Sequence, residues 1–342
     1  LQDKELRYRY RYLDLISDPE KREVFRKRSK IIKTIRRVLD ERGFLEVETP
    51  SFHKTAGGAA ARPFVTHLNS LNIDLNLRIS LELYLKRLMV GGFDKVYELG
   101  RVFRNEGMDK DHNPDFTLLE VYEAFGDLDS MLVLTEEICR KVCLEVLETT
   151  VTTFRGTEID FGPEFAKADF NELMIEYAEV DLSKKRDEKL LRKACENHGL
   201  EVEKGASVGR LIDVLFDSLV QPNLIQPTFV MNHPIEVSPL ARKHPKKNGF
   251  AQRFELFVAG HELANAFNEL NDPDEQRERF NAQMKLRAAG DEEAHPLDED
   301  FIYAQEHGMP PAGGMGMGVD RLVMLITGEH SIRDVLLFPM MK

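Results

Sequence analysis

The strand-like segments of this sequence are joined by long connections, and this spacing limits the possible folds more than any other feature. Lys95–Arg104 and Thr117–Phe125 have the composition of strands, and a polar stretch of 12 residues, Asn105–Phe116, separates them. Segments with helical spacing occupy most of the other connections. Long connections of this kind predict an α+β fold with a mostly antiparallel sheet.

The longest predicted helix has a clear start and stop. Asp18 suits the N-cap and Pro19 the first helical position, and apolar residues then recur at helical spacing until Gly43. A short strand over Phe44–Thr49 and a Gly/Ala-rich loop over Thr55–Pro63 are predicted next. Further helical patterns cover Leu81–Val90, Ser130–Leu147, residues 165–220, Glu275–Ala289 and Val319–Ile326.

Composition excludes several classes of protein. With 342 residues, 42% hydrophobic and 31% charged, the chain lies in the globular range and not among disordered or fibrous sequences. No stretch approaches about 20 consecutive apolar residues, so we expect no membrane span, and we expect no secretory signal. The cysteines Cys139, Cys143 and Cys195 cannot all pair, and they predict buried reduced thiols in a cytoplasmic setting.

Charge is distributed unevenly along the chain. The net charge is −12, but residues 1–42 hold 14 Lys or Arg and 8 Asp or Glu, a local +6 that leaves −18 on the remainder. A local basic face can bind nucleic acid even on an acidic protein, because phosphate contacts depend on the local potential. The same segment also fits a solvated helix of mixed charge.

The first predicted hairpin is dense in Arg, Glu, His and Asn around its turn. The two-residue period of a strand places Glu120 and Tyr122 on one face, and Leu119 and Val121 on the other. An ordinary amphipathic edge hairpin would show the same alternation. The density of polar side chains around one turn favours a hairpin that lines a polar pocket.

A second hairpin brings two carboxylates together. Arg253–Val258 and Leu263–Glu269 are typical of strands and flank Ala259-Gly260, which has the length of a two-residue loop. With that loop, Glu255 and Glu262 share one face. Two neighbouring carboxylates repel each other unless a cation lies between them, and an open oxygen-only site suits Mg²⁺ that holds phosphates. Two solvated glutamates on an exposed strand fit the spacing equally well.

A glycine-rich segment, residues 313–318, precedes a short apolar helix that carries Arg321 near its start. Glycines let the backbone approach a flat ligand closely, and arginine can stack on an aromatic base or bind phosphate. The segment lacks the Gly-Lys-Ser/Thr of a P-loop and the Gly-x-Gly-x-x-Gly of dinucleotide sites. Taken alone, a glycine run of this kind is more often a tight turn.

Together these segments resemble the three motifs of class II aminoacyl-tRNA synthetases. Residues 103–106, Phe-Arg-Asn-Glu, with His-Asn-Pro-Asp-Phe at 112–116, are similar to motif 2. Residues 316–322, Gly-Met-Gly-Val-Asp-Arg-Leu, resemble motif 3, and the helix that ends in residues 43–50 resembles motif 1. Further segments narrow the resemblance to the lysyl-tRNA synthetases: residues 57–64, 82–87 and 262–272. The resemblance runs from Arg7 to Pro339.

The resemblance implies a reaction and the residues that carry it. Such enzymes activate an amino acid with ATP, release pyrophosphate, and transfer the aminoacyl group to the terminal adenosine of tRNA. It implies that Arg104 contacts the α-phosphate and the lysine carboxylate and that Arg321 contacts the γ-phosphate, so these two are the expected catalytic residues. The implied ATP site consists of Arg104, Glu106, His112, Asn113, Phe116, Glu255, Glu262, Gly318 and Arg321, with Phe116 under the adenine and Glu255 and Glu262 as ligands of Mg²⁺.

The resemblance also implies a site for L-lysine. The matching residues are Gly58 and Glu82 for the α-ammonium, Arg104 for the carboxylate, and Glu120, Tyr122, Asn265, Phe267 and Glu269 for the side chain. An ideal strand would place Glu262 and Glu269 on opposite faces, because they are seven residues apart. We therefore expect a bulge or bend near Ala264–Ala266.

The implied fold is the class II catalytic domain, an antiparallel sheet flanked by helices with a helical insertion. It covers residues 1–342, with motif 1 at about 30–50, motif 2 at about 96–125, the insertion at about 165–220 and motif 3 at about 313–327. The family forms homodimers through motif 1, whose apolar helix fits either a dimer interface or the core of one chain. The expected partners are L-lysine, ATP, the acceptor end of tRNA(Lys) and a second copy of the chain, without a membrane.

Lysyl-tRNA synthetases also carry an N-terminal β-barrel domain that reads the anticodon, and the resemblance begins beyond it. Three interpretations follow: part of a full synthetase, a standalone paralogue that lysylates a protein, and a non-catalytic protein that senses lysine or ATP. The presence of Arg104, Glu255, Glu262 and Arg321 argues against the third. The segments at 57–64 and 316–318 favour a synthetase over the protein-modifying paralogues.

Overall fold

The computed structural model describes residues 3–342, so the first two residues of the predicted 1–342 domain and of the basic 1–42 segment lie outside the described residues. The α-helices are α1 (Lys4–Arg9), α2 (Arg11–Ser17), α3 (Pro19–Glu41), α4 (Glu82–Val90), α5 (Leu128–Leu147), α6 (Phe170–Ala178), α7 (Glu188–Asn197), α8 (Val208–Leu215), α9 (Pro273–Ala288), α10 (Glu299–Glu306), α11 (Val319–Thr327) and α12 (Ile332–Val335). The strands are β1 (Leu45–Glu46), β2 (Phe52–His53), β3 (Val65–Leu68), β4 (Ile73–Leu77), β5 (Lys95–Phe103), β6 (Asp115–Ala124), β7 (Val151–Phe154), β8 (Thr157–Asp160), β9 (Ala166–Asp169), β10 (Thr228–Met231), β11 (Arg253–Val258), β12 (His261–Asn268) and β13 (Ala312–Gly318).

An eight-stranded sheet lies at the centre of the fold, in the order β1-β5-β6-β13-β12-β11-β10-β9. Its central pairs are antiparallel, and the two edge pairs, β1 with β5 and β9 with β10, are parallel. Helices α3, α5 and α11 cover one face and close the main hydrophobic core. The predicted α+β class with a mostly antiparallel sheet is confirmed.

Helix α3 starts as the sequence predicts, and its apolar stripe lies inside the chain. The Asp18 side chain caps the first turn, and Pro19 occupies the first helical position. Ile31, Ile35 and Leu39 are fully buried in the main core, against α5 and α11. The apolar stripe of α3 therefore packs in the core of the chain and not in a dimer interface.

Three predicted segments need correction. Only Leu45–Glu46 of the predicted Phe44–Thr49 strand is a strand, since this edge pairs with two residues of β5 before the chain turns away at Pro50. The segment 165–220 begins with β9, which pairs with β10, so its helices start only at Phe170. The glycine-rich segment is not a tight turn but β13, and it lies between β6 and β12 in the middle of the sheet.

The cysteines agree with the expectation of buried reduced thiols. Cys139, Cys143 and Cys195 are buried free thiols. Burial raises the pKa of Cys143 to about 11, so this thiol stays protonated at neutral pH. Within residues 3–342, we find no helix with the length and apolar character needed to cross a membrane.

A buried ion pair ties α3 to the start of α11. Asp320 accepts a hydrogen bond from Nη1 of Arg28 at 2.5 Å and another from the backbone N–H of Thr117 at 2.7 Å. Arg28 also donates to the Thr117 hydroxyl at 3.0 Å. Because Asp320 precedes Arg321, these contacts fix the backbone that presents the arginine.

We expect Asp320→Ala to lower the free energy of unfolding by about 3–5 kcal/mol, because it leaves the largely buried Arg28 guanidinium without its carboxylate. Urea denaturation followed by circular dichroism measures the change. The matched control is Glu23→Ala, which removes an exposed ion pair with Arg26 on the same helix and should change stability by less than about 1 kcal/mol. Equal changes in the free energy of unfolding would show that the buried pair stabilises the fold no more than the exposed pair does.

Candidate active site

Two rows of side chains cross the face of the main sheet that lies opposite the main core. Register pairs β6 with β13, β13 with β12, and β12 with β11. The intervening residues of β6 and β12, such as Leu119 and Ala266, point into the main core. The first row is Glu120, Gly316, Asn265 and Glu255, and the second is Tyr122, Gly314, Phe267 and Arg253. Both predicted hairpins therefore contribute to one surface.

A bulge in β12 brings Glu262 onto the same face. The residues on either side of Leu263, Glu262 and Ala264, pair with consecutive residues of β11, so Leu263 is the extra residue. Leu263 packs in the main core, and Glu262 joins Glu255 on the polar face. The predicted bulge exists, but it lies N-terminal to the predicted Ala264–Ala266.

The turn between these strands is the predicted two-residue loop. Ala259 and Gly260 both have positive φ, 52° and 72°, as a turn that matches the twist of a hairpin requires. The loop therefore sets the register that places Glu262 near Glu255.

Glu255 and Glu262 lie in what we call the charged cleft, together with Arg104 and Arg321. Burial in the cleft and repulsion from Glu255 raise the pKa of Glu262, and the nearby arginines oppose that rise. Nη1 of Arg321 lies 3.7 Å from the Glu262 carboxylate and donates to its backbone oxygen at 2.7 Å. Glu255 forms an ion pair with Arg253. The cleft thus alternates carboxylates and guanidinium groups.

The donor set of the cleft fits Mg²⁺ that is shared with phosphates, and it does not fit a metal held by protein alone. Glu255 and Glu262 offer only oxygen ligands, which Mg²⁺ prefers. No cluster of three or more His, Cys, Asp or Glu side chains suited to a metal occurs among residues 3–342. Mg²⁺ commonly uses one or two protein carboxylates and completes its shell with phosphate oxygens and water.

The turn between β5 and β6 supplies the other cationic groups. Arg104 donates from Nε to the Ile79 backbone oxygen at 3.3 Å, and its guanidinium carbon lies 5.1 Å from the centre of the Phe116 ring. Burial lowers the pKa of Arg104, and Glu106, Glu262 and Glu120 counteract this. Arg104 therefore lies between the cleft carboxylates and Glu120.

The remaining residues of this turn have distinct contacts. His112 lies 3.1 Å from Arg321 through Nε2 and 2.9 Å from Asp109 through Nδ1. Glu106 is exposed and accepts a hydrogen bond from the Arg62 backbone N–H at 3.3 Å. Asn113 is buried and donates to the backbone oxygen of Asp115 at 2.7 Å, so its side chain holds the turn. Gly318 ends β13 and caps α11.

Beside the cleft lies what we call the acidic pocket, formed by Glu82, Lys86, Glu120, Tyr122 and Glu269. Glu120 accepts hydrogen bonds from the Ser80 hydroxyl at 2.8 Å, the Leu81 N–H at 3.0 Å and the Tyr122 hydroxyl at 3.0 Å. Burial and the neighbouring Glu82 raise the pKa of Glu120 to about 7. Glu120 thus both anchors the start of α4 and contributes negative charge.

The loop at Gly58 closes one side of this pocket. Gly58 has φ of 89°, and a Cβ there would lie 2.7 Å from the Ser80 hydroxyl oxygen and 3.1 Å from Cβ of Glu82. Only glycine lets the loop approach the start of α4 this closely.

Glu269 lies at the base of the pocket with a buried lysine beside it. Lys86 is fully buried and forms ion pairs with both Glu82 and Glu269. Burial raises the pKa of Glu269 well above its usual range, although Lys86 opposes this. Neither carboxylate oxygen of Glu269 makes a hydrogen bond of good geometry within the described residues, despite the ion pair. The base of the pocket therefore retains capacity to accept hydrogen bonds.

The structure adds two residues that we did not predict. Lys86 follows Glu82 by four residues on α4, and this spacing for ion pairs on a helix was the available signal. Arg253 shares the face of Glu255 by strand alternation, and it donates from Nε to Asn265 at 2.9 Å. Arg253 therefore links Glu255 of the cleft to Asn265 of the same row.

The chain matches one family along its described length. The profile described as "tRNA synthetases class II (D, K and N)" matches residues 3–342. The lysine--tRNA ligase of Moorella thermoacetica is 55% identical over 342 residues, which cover the whole chain and 70% of that protein. The lysine--tRNA ligase of Thermoanaerobacter sp. (strain X514) is 56% identical, with 68% of its length covered, and that of Chloroflexus aurantiacus is 52% identical, with 70% covered.

We expect Gly314→Ala to lower the free energy of unfolding by about 1–3 kcal/mol through overpacking. A Cβ at Gly314 would lie 2.0 Å from Oε1 of Glu269 and 2.5 Å from Cε1 of Tyr122. The matched control is Gly316→Ala on the same face of β13, where the nearest atom would be 3.8 Å away. Chemical denaturation of both variants measures the difference, and a Gly314→Ala protein as stable as the control would contradict the close packing described here.

Proposed function

The chain belongs to the class II tRNA synthetases of the D, K and N group, and we propose that it activates L-lysine with ATP and transfers the lysyl group to tRNA(Lys). One observation carries this proposal. A buried pocket with three carboxylates lies next to Arg104, and this arrangement is complementary to a substrate with two ammonium groups and one carboxylate. The names of the relatives support the same assignment.

In the pocket, Glu82 and the Gly58 backbone bind the α-ammonium of lysine, and Glu269 with Tyr122 binds its ε-ammonium. The side-chain pocket is completed by Glu120, Asn265 and Phe267. A buried ammonium is tolerable only when a carboxylate offsets its desolvation, so Glu269 has the chemistry that selects lysine. Oε1 of Glu269, which is buried and accepts no hydrogen bond within the described residues, supports this role.

Arg104 lies between the pocket and the cleft, so it reaches both reactants. It holds the lysine carboxylate and the α-phosphate together, which orients the carboxylate oxygen for in-line attack. The new C–O–P linkage forms as the bond from the α-phosphorus to the pyrophosphate oxygen breaks. Arg104 and Arg321 neutralise the charge that develops on the phosphates and the departing pyrophosphate.

The rest of the cleft holds ATP. Phe116 offers a ring face for the adenine, and the guanidinium carbon of Arg104 lies 5.1 Å from the centre of the same ring. Glu106 and His112 hold the two ends of ATP from the turn, Asn113 contributes to this site by fixing the turn, and Gly318 leaves room beside Arg321. Glu255 and Glu262 would hold Mg²⁺, which would neutralise and orient the phosphates. Arg253 and Arg321 orient these two carboxylates.

Transfer needs contact with tRNA, and the charges of the chain decide how strong that contact is. Of the 14 basic residues in the segment 1–42, nine form ion pairs with acidic side chains. Lys243 and Lys247 are paired with Glu275 and Asp169. Few cations remain for phosphate, so we expect the acceptor end to bind weakly.

The family also supports a homodimer in the cytoplasm. Large exposed apolar residues lie in the segment that follows α3, among them Leu45, Phe52, Val65 and Leu71. We propose that this segment, and not the buried stripe of α3, provides the apolar part of the dimer interface. The buried free thiols agree with a reducing compartment.

We expect Glu262→Gln to reduce lysine-dependent ATP–pyrophosphate exchange by at least about a hundredfold, because it removes the charge of one Mg²⁺ ligand. The fold should stay intact by circular dichroism. The matched control is Glu123→Gln on β6, whose partner is Lys95, and its exchange rate should stay near that of the unmodified chain.

Two results would contradict parts of the proposal. Near-normal exchange by folded Glu262→Gln would exclude a metal role for this residue. Labelled lysine that is activated by the unmodified chain but transferred to protein, with no transfer to tRNA(Lys), would favour the protein-modifying paralogue.

Lysine affinity should fall as the pH decreases from about 8 to about 6. Burial raises the pKa of Glu120 to about 7, while the lysine ammonium groups favour its ionised form. Glu82, Tyr122 and Arg104 face this carboxyl. Below its pKa, Glu120 must lose a proton before lysine binds, so binding releases protons and weakens with acidity.

Calorimetry in two buffers with different ionisation enthalpies measures this proton release. Glu120→Gln should release fewer protons at pH 6 than the unmodified chain, and Glu123→Gln should release as many. Lysine affinity that does not change across this pH range would show that Glu120 is already ionised in the free protein.

A further inference from the structure

We propose that Lys86 is a positioning residue of the acidic pocket, whose buried ammonium orients Glu82 and Glu269 and adjusts the charge of the pocket to that of lysine. The inference rests on the proposed function, since it deepens the account of how this pocket accepts its substrate. It assigns a role to a side chain that neither touches ATP nor lies in the charged cleft.

The contacts of Lys86 set it apart from the other lysines of the chain. Its side chain is completely buried, and its ammonium forms ion pairs with one oxygen of Glu82 and one oxygen of Glu269. Those two carboxylates are the groups proposed for opposite ends of the substrate. One resident cation therefore touches both the α-ammonium site and the ε-ammonium site.

Aromatic rings enclose the same ammonium on its other sides. The Lys86 Nζ lies 5.2 Å from the ring centre of Phe267, 5.9 Å from that of Phe301 and 6.0 Å from that of Tyr122. Ring faces stabilise a cation and offer no alternative hydrogen-bond acceptor. The ammonium is thus directed toward the two carboxylates and has little freedom to turn away from them.

The protonation of Lys86 follows from its neighbours. Burial alone would lower the pKa of Lys86, but the carboxylates of Glu269 and Glu82 raise it above its usual value. His295, a second basic group near Lys86, is neutral, because burial and Lys86 lower its pKa to about 4, whereas Arg253 is a cation that favours the ionised form of Glu82. Lys86 is therefore the buried cation that these carboxylates share.

A charge balance shows what this cation does. When all three are ionised, Glu82, Glu120 and Glu269 carry three negative charges, and Lys86, which forms ion pairs with two of them, reduces the total to two. Two negative charges match the two ammonium groups of lysine, whose carboxylate is bound by Arg104. Without Lys86, repulsion would keep one more carboxyl protonated at neutral pH, and lysine would have to displace that proton to bind.

The experiment compares Lys86→Met with Lys95→Met, which removes a half-exposed lysine from β5. Lysine KM and ATP KM are measured by pyrophosphate exchange, and proton release on lysine binding is measured by calorimetry. For Lys86→Met we expect the lysine KM to rise by at least about tenfold, the ATP KM to stay within about twofold, and one additional proton to be released for each lysine bound. Lys95→Met should match the unmodified chain in all three.

A second variant tests the proposal if Lys86→Met does not fold. Lys86→Met combined with Glu269→Gln removes both charges of one buried pair. Because Lys86 acts through Glu269 as well as through Glu82, the double variant should have a lysine KM that exceeds that of Glu269→Gln alone by less than the roughly tenfold expected for Lys86→Met. A further tenfold rise would show that the two residues act independently and would overturn the proposal.

The remaining outcomes separate this inference from the proposed function. An unmodified chain without lysine-dependent exchange contradicts the proposed function itself. Exchange by the unmodified chain, with an unchanged lysine KM and proton release in Lys86→Met, contradicts only the role of Lys86. A lower lysine KM in Lys86→Met would show that Lys86 competes with the substrate and would also overturn the proposal.

Discussion

Burial of several like charges in one pocket is the constraint on which the rest of this structure depends. Glu82, Glu120 and Glu269 are nearly inaccessible to solvent, and burial raises the pKa of each. Such groups persist only with specific partners. The start of α4 supplies N–H and hydroxyl donors to Glu120, and Lys86 supplies a cation to the other two. Helix α4 is thus the element that makes an acidic pocket compatible with a folded chain.

The sheet under the pocket is shaped to leave room for these groups. In the middle of the sheet, β13 presents Gly314 and Gly316 on the polar face, where longer side chains would fill the space. At Gly314 the gap is occupied by Glu269 and Tyr122, whereas a Cβ at Gly316 would lie in ordinary contact with Cγ of Glu120, 3.8 Å away. The bulge at Leu263 then turns Glu262 toward the cleft. The glycines of β13 and the extra residue in β12 therefore decide which side chains fill the polar face of the sheet.

Ion pairs between segments far apart in the sequence neutralise much of the basic charge near the N-terminus. The basic excess near the N-terminus is largely balanced by acidic residues elsewhere, so it is not a free phosphate-binding surface. Arg28 illustrates this, because it binds Asp320 and thereby links α3 to the backbone that presents Arg321. Similarity to lysine--tRNA ligases along the whole chain agrees with a site in which fixed charges do most of the positioning.

The sequence by itself determined the local features of this protein, since these depend on neighbours along the chain. The cap at Asp18, the loop at Ala259-Gly260 and the face shared by Glu120 and Tyr122 follow from backbone preferences and strand alternation. The motif resemblance also placed most of the candidate site residues on one surface. Only the tertiary structure decided that the glycine segment is a central strand, that the bulge lies at Leu263, and that Lys86 joins Glu82 to Glu269. Strand register and the pairing of buried charges depend on segments far apart in the chain, which no local pattern specifies.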